Sequence, residues 1–189
     1  MNNDQLRLSA TSYLVLGLIG LRGPSTPYDL KRAAGRSISY FWPFPHSQLY
    51  GEPARLAEAG LLNEEREDGG RRRVVYSLTD KGRETLSDWA KHPRGEAFEM
   101  RDMAVLQLFF SEFISEDELV ALARDQVGVY QRRLEVYNEI EQHNNDKGRE
   151  RRMAPLQLGV RMARVLVKFW EEVAQDPPPA PPTARAKRR

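Results

Sequence analysis

Cysteine is absent from the 189 residues, which removes disulfides, thiolate metal sites and cysteine nucleophiles together. The absence fits a reducing compartment, and the expected location is the cytoplasm, at the nucleoid. Histidine is almost as scarce. His46, His92 and His143 are scattered and give no metal-ligand spacing. A long apolar run is missing too. The longest, Tyr13 to Leu21, is far short of the roughly 20 residues that cross a bilayer. It also lacks the small-residue cleavage site of a signal peptide, so it reads as a buried helix and no membrane partner is expected. There is no Gly-rich phosphate loop. The acidic residues fall in surface-type runs such as Glu64-Glu65 and Glu116-Asp117-Glu118. No catalytic residue, metal site or cofactor is therefore expected, and the chain is not read as an enzyme.

A large charge of either sign is also lacking, since the net charge is +2. A near-neutral protein can bind DNA only by gathering its cations at the contact surface. Arg71-Arg72-Arg73 is a run of three adjacent cations. Three adjacent guanidiniums repel one another unless anions are near, and phosphates satisfy them.

What is present is a sequence of element signals. Ser9, Thr11 and Ser12 offer caps for a helix through Leu21, stopped by Gly23-Pro24. Thr26-Pro27-Tyr28-Asp29 opens a second helix, with Pro27 at the first helical position. A third is expected from about His46 to Ala59, with Gly60 as its stop. Leu61–Glu67 and Arg71–Leu78 read as two strands around an Asp68-Gly69-Gly70 turn, and Thr79 caps a helix from Asp80 to about Lys91. Helix, helix, helix, strand, turn, strand is the order of a winged helix, whose third helix enters the major groove.

The second half differs. One apolar-rich helix is expected over Arg101–Ile114. Ser115-Glu116-Asp117-Glu118 is a capping box opening a helix to about Asn145. There Val120, Ala123, Val127, Tyr130, Leu134 and Tyr137 step by three and four, a coiled-coil-type seam. Asn144–Gly148 breaks it. A last helix, from about Glu150 to Ala174, repeats the step at Met153, Leu156, Val160, Ala163, Val167, Trp170 and Ala174. Leu158, Met162, Leu166 and Phe169 form a second stripe, which implies a second packing partner such as another subunit. Residues 176–189, with Pro-rich and basic composition, read as a disordered tail.

These segments resemble the PadR-like family of transcription regulators, in its long form. Three stretches carry the resemblance. They are Tyr13-Leu14-Val15-Leu16-Gly17-Leu18-Ile19 with Gly23-Pro24 and Pro27-Tyr28-Asp29-Leu30; Phe41-Trp42-Pro43-Phe44-Pro45-His46-Ser47-Gln48-Leu49-Tyr50 with Arg55–Leu62; and Tyr76–Glu84. The second is the most specific. Leu156–Arg161 and Trp170-Glu171-Glu172 are similar to the family's final helix. The chain departs from the family at Pro53, two residues after Gly51, where an apolar helix residue is usual. A proline well inside a helix costs about 3 kcal/mol, and less if the helix begins nearer Leu49 and Pro53 falls close to its first turn; either way the start of the third helix is expected to be kinked.

The expected architecture is mainly α with a small β-hairpin. Residues 1–92 form a winged helix-turn-helix domain, residues 93–175 an antiparallel helical dimerisation and effector domain, and residues 176–189 the tail. The resemblance implies a bacterial homodimer on palindromic double-stranded DNA, usually a repressor relieved by a small-molecule effector. Expected DNA contacts are His46, Ser47, Gln48 and Tyr50 at the third helix, Arg55 on phosphate, and Arg71, Arg72 and Arg73 on the wing, with Arg36 a weaker candidate. Expected dimer residues are Val127, Tyr130, Leu134, Val160, Ala163, Val167 and Trp170. Trp89, Phe109, Tyr130, Tyr137 and Trp170 read first as ordinary core and second as an effector pocket. Tyr28, Phe41 and Trp42 read as packing residues. The alternative function is a winged-helix protein-interaction module that has lost DNA binding.

Overall fold

The computed structural model describes residues 7–35, 37–38, 41–42, 44–45, 47–66, 73–92, 95, 99–143 and 150–179. The chain divides into two compact units, residues 1–96 and 97–189.

The first unit opens with α1 (Ala10–Arg22). Ser9 and Ser12 close a reciprocal capping box, each side chain accepting from the other's backbone N–H. Gly23 ends the helix at φ 85°, a conformation that a side chain disfavours. Helix α2 (Pro27–Gly35) begins where Thr26 and Asp29 exchange hydrogen bonds. These bonds hold the Asp29 carboxyl below its usual range, helped by the charges of Arg32 and Arg73. Helix α3 (Gln48–Glu58) follows, running through Pro53. The helix starts at Gln48 rather than near His46, close to the later of the two expected starts, and the Pro53 ring is fully buried. Burial of that ring offsets part of the missing backbone bond.

The core of this unit is Val15, Leu16 and Ile19 of α1 against Leu30, Leu49 and Leu56. Each such side chain contributes about 1.5–3 kcal/mol by leaving water. A two-stranded antiparallel sheet follows, β1 (Leu62–Arg66) and β2 (Val74–Leu78), in the register Leu62 to Leu78 and Arg66 to Val74. Leu61 and Arg73, expected within the strands, lie just outside them, and Glu67, Arg71 and Arg72 lie outside the described residues. Helix α4 (Asp80–Lys91) is capped by Thr79, as the sequence indicates. The Trp89 ring stacks on Tyr13 of α1, centroids 4.6 Å apart.

The second unit holds α5 (Met103–Phe109), a 3₁₀ turn (Ser111–Phe113), α6 (Glu116–His143) and α7 (Glu150–Gln175). The single helix expected over Arg101–Ile114 is instead cut at Phe110, and its start is set by Asp102. That side chain accepts the N–H groups of Ala104 and Val105. The Ser115/Glu118 capping box forms as expected. Helices α6 and α7 pack along their seams, and Ala123, Tyr137, Val160, Ala163 and Trp170 are buried within the one chain. Tight approach is possible because residue 159 is glycine: a Cβ there would lie 3.2 Å from the Tyr137 ring.

The expected turn at residues 68–70, the break at 144–148, Arg36 and residues 180–189 lie outside the described residues. Tyr28, Phe41 and Trp42, read above as packing residues, are each at least half exposed.

Candidate nucleic-acid interface

The start of α3 is held by α1. Ser47 precedes α3 without capping it through its side chain, and Ser47 and Gln48 are both exposed. Tyr50, one residue beyond the buried Leu49, is 51% exposed. Gln48 Oε1 accepts the Thr11 hydroxyl at 2.7 Å. His46 lies outside the described residues. A run of exposed polar side chains at the start of a third helix can meet base edges in the major groove.

Arg55 behaves differently from the expectation. Its Nη2 donates to Glu52 Oε1 at 2.6 Å and to Ser12 Oγ at 3.0 Å, and its Nε donates to Glu52 Oε2 at 3.0 Å. Burial pushes the Glu52 carboxyl up, but the bonds from Arg55 and Ser12 and the Arg55 charge outweigh it, leaving it below its usual value. The hydrogen bond with Glu52 raises Arg55 in turn. The guanidinium thus binds α3 to α1 rather than standing free. Sequence reasoning missed Glu52 and Ser12, which lie three and 43 positions from Arg55.

The hairpin is fastened at the middle of β2. Ser25 and Tyr76 exchange two backbone bonds of 2.9 Å, so the segment before α2 pairs with β2. Tyr76 is buried and donates its hydroxyl to Glu64 Oε2 at 3.3 Å across the sheet. Burial and then the Glu64 charge push its phenol up. Arg73 sits at the start of β2, exposed, and its charge reaches Asp29. Arg71 and Arg72 lie outside the described residues.

The aromatic residues considered for an effector pocket do not share one environment. Trp89 stacks on Tyr13 in the first unit. In the second, Phe109 is 78% exposed while Trp170 is fully buried beside Ala104, Leu119, Ala123 and Val173. Tyr137 is buried and its hydroxyl accepts from Arg133 Nε at 2.8 Å. Tyr130 donates a hydrogen bond to Asp102, the residue that caps α5. An open groove of about 490 Å³ in the second unit is lined by Met103, Leu106, Phe110, Ile114 and Leu122 instead. Of the expected dimer residues, Val160, Ala163 and Trp170 are covered by the chain's own helices, while Val127, Tyr130, Leu134 and Val167 are half-buried. The large apolar side chains of α7 that stay exposed are Leu158, Val165 and Phe169.

A three-helix unit closed by a β-hairpin, with a polar third-helix start and a helical second unit, defines a winged-helix transcription regulator. Residues 15–88 match the Transcriptional regulator PadR-like family, and residues 100–176 match the Virulence activator alpha C-term family. The chain carries a PadR-like family domain. It is 28% identical over 124 residues to the Negative transcriptional regulator PadR of Bacillus subtilis, covering 65% of this chain and 68% of that protein. The crystal structure of Bacillus subtilis PadR in complex with operator DNA has the same fold, with a TM-score of 0.80 at 22% identity over 88% of this chain and 98% of that one. The structure of the same protein in complex with p-coumaric acid gives 0.75 at 22% identity over 87% and 96%. Among the described residues no helix is long and apolar enough to cross a membrane.

Proposed function

We propose that the chain is a sequence-specific DNA-binding repressor, active as a homodimer in the cytoplasm, without catalysis of its own, and released from DNA by a small molecule. The observation that carries this reading is the exposed polar start of α3, pinned to α1 and followed by the hairpin. The fold shared with a regulator solved on its operator supports it, and the structure of that regulator with p-coumaric acid supports a small-molecule effector. Ser47, Gln48, Tyr50 and His46 read base edges of one half-site. Arg71, Arg72 and Arg73 hold the flanking phosphates. Arg55 acts from behind, as the strut that sets the pitch of α3. The second unit carries the dimer, through the exposed α7 stripe and the half-buried Val127, Tyr130, Leu134 and Val167. Two subunits related by a two-fold axis require a palindromic operator.

The test is fluorescence anisotropy of the full chain on duplex DNA from upstream of its own gene, with scrambled duplex alongside and salt varied. Tighter binding to the upstream duplex with a steep salt slope is expected. Equal, weak binding to both overturns sequence-specific recognition and leaves a protein-interaction module.

A further inference from the structure

Two consecutive residues in the first turn of α1 hold two residues seven apart on α3. Thr11 Oγ1 donates to Gln48 Oε1 at 2.7 Å, and Ser12 Oγ accepts from Arg55 Nη2 at 3.0 Å. Residues seven apart lie on one helix face, so one turn of α1 grips α3 at both ends of that face. Ser12 is fully buried and already committed to the α1 capping box, so the anchor is rigid. Gln48 is the exposed end of this pair.

The polarity of the Thr11 bond has a chemical consequence. A glutamine that reads adenine accepts from N6–H₂ through Oε1 and donates to N7 through Nε2. Here Oε1 accepts the Thr11 hydroxyl, which occupies one of its two lone pairs and turns the oxygen toward α1, leaving the two N–H donors on the opposite side of the amide. Guanine presents two acceptors, N7 and O6, in the major groove. We propose that Thr11, which is not expected to touch DNA, is a positioning residue that sets the base preference of Gln48 toward an acceptor-only edge, guanine, rather than adenine. This inference rests on the DNA-reading function proposed above.

The experiment is selection from a duplex library randomised over the half-site, using the full-length wild type and the variants Thr11→Val, Thr11→Ser and Gln48→Ala. Gln48→Ala identifies the base position that the glutamine reads, as the one losing its preference. Wild type is expected to prefer guanine there. Thr11→Val, which keeps the shape and removes the donor, is expected to cut the guanine-over-adenine preference by roughly tenfold, a change within the range of one bidentate base contact. Thr11→Ser is expected to restore it. A purely structural role for Thr11 would lower affinity for all sequences alike and leave that ratio unmoved. The proposal is overturned if Thr11→Val keeps the wild-type ratio, if wild type prefers adenine at that position, or if Gln48→Ala alters no position. A wild type that selects no sequence at all overturns the DNA-reading function itself, and this inference with it.

Discussion

Substituting Gly82 by alanine sets two physical effects against each other. Gly82 is the third residue of α4, and by helix propensity alone alanine would stabilise a helix by up to about 1 kcal/mol. Sterics oppose it. A Cβ at Gly82 would lie 2.1 Å from the backbone oxygen of Leu61 and 3.0 Å from Leu78 Cδ1. The oxygen belongs to a buried residue at the foot of β1, so it cannot swing aside as a side chain can. Relief needs a shift of about 1 Å between α4 and the turn before β1. That shift strains three bonds: Thr79 N–H to Leu61 O at 3.2 Å, Thr79 Oγ1 to Gly60 O at 2.9 Å, and Gly82 N–H to Thr79 Oγ1 at 3.0 Å. Overpacking costs about 1–3 kcal/mol and a weakened N-cap about 1 more. Net of propensity, Gly82→Ala should destabilise the first unit by about 2 kcal/mol, lowering its Tm by roughly 8–16 °C for a domain of this size. Thermal unfolding followed by far-UV circular dichroism measures this directly. Gly51→Ala is the control, since no atom beyond its own stretch of helix lies within 4 Å of the added carbon and a gain of about 0.5–1 kcal/mol is expected. A Gly82→Ala protein melting at or above wild type would refute the steric argument.

Replacing Arg71, Arg72 and Arg73 together by alanine should weaken binding to all DNA sequences and flatten the salt slope by up to about 0.9 for each phosphate no longer neutralised; an unchanged slope in anisotropy titrations counts against a wing that touches the backbone. Tyr130 should ionise late: burial first, then its bond to Asp102 and that group's charge, push its phenol to about 12. Because the folded value is raised, the stability linked to this proton is complete below about 10 and is lost as pH rises through about 12. An ultraviolet titration in which Tyr130→Phe removes no late-ionising tyrosine would contradict this. Trp170 is fully buried with an indole N–H that has no partner among the described residues. Trp170→Phe should therefore cost far less than Trp170→Ala, for which about 3–5 kcal/mol is expected, and urea unfolding compares the two.

Local signals in the sequence carry the fold a long way. Thr79, the Ser115/Glu118 pair and Gly60 mark element ends through bonds spanning only a few residues, so type and spacing suffice to read them. Asp102 is hidden inside an apolar-rich stretch that reads as one continuous helix, and the interruption at Phe110 has no Gly or Pro to announce it. The α6 and α7 seams are plain as periodicity, yet a period does not say which helix answers it. Val160, Ala163 and Trp170 read from the sequence as facing a second subunit, whereas the hairpin partner in the same chain covers them. At the candidate interface, the exposure of Ser47, Gln48 and Tyr50 is legible from their place at the start of the third helix. The Arg55–Glu52–Ser12 link is not, because its far end is 43 residues away and a lone arginine on a helix shows no sign of prior engagement.

A helical hairpin that closes its own seam can fold before it meets a partner. With Trp170 and Val160 already sheltered inside one chain, diluting the proposed dimer would remove the association but leave α6 and α7 packed. In the proposed dimer, assembly would then be an encounter of finished subunits through the exposed Leu158, Val165 and Phe169, with its own concentration dependence. The number of reading heads on the DNA would follow how much protein the cell makes, while the integrity of each subunit would not.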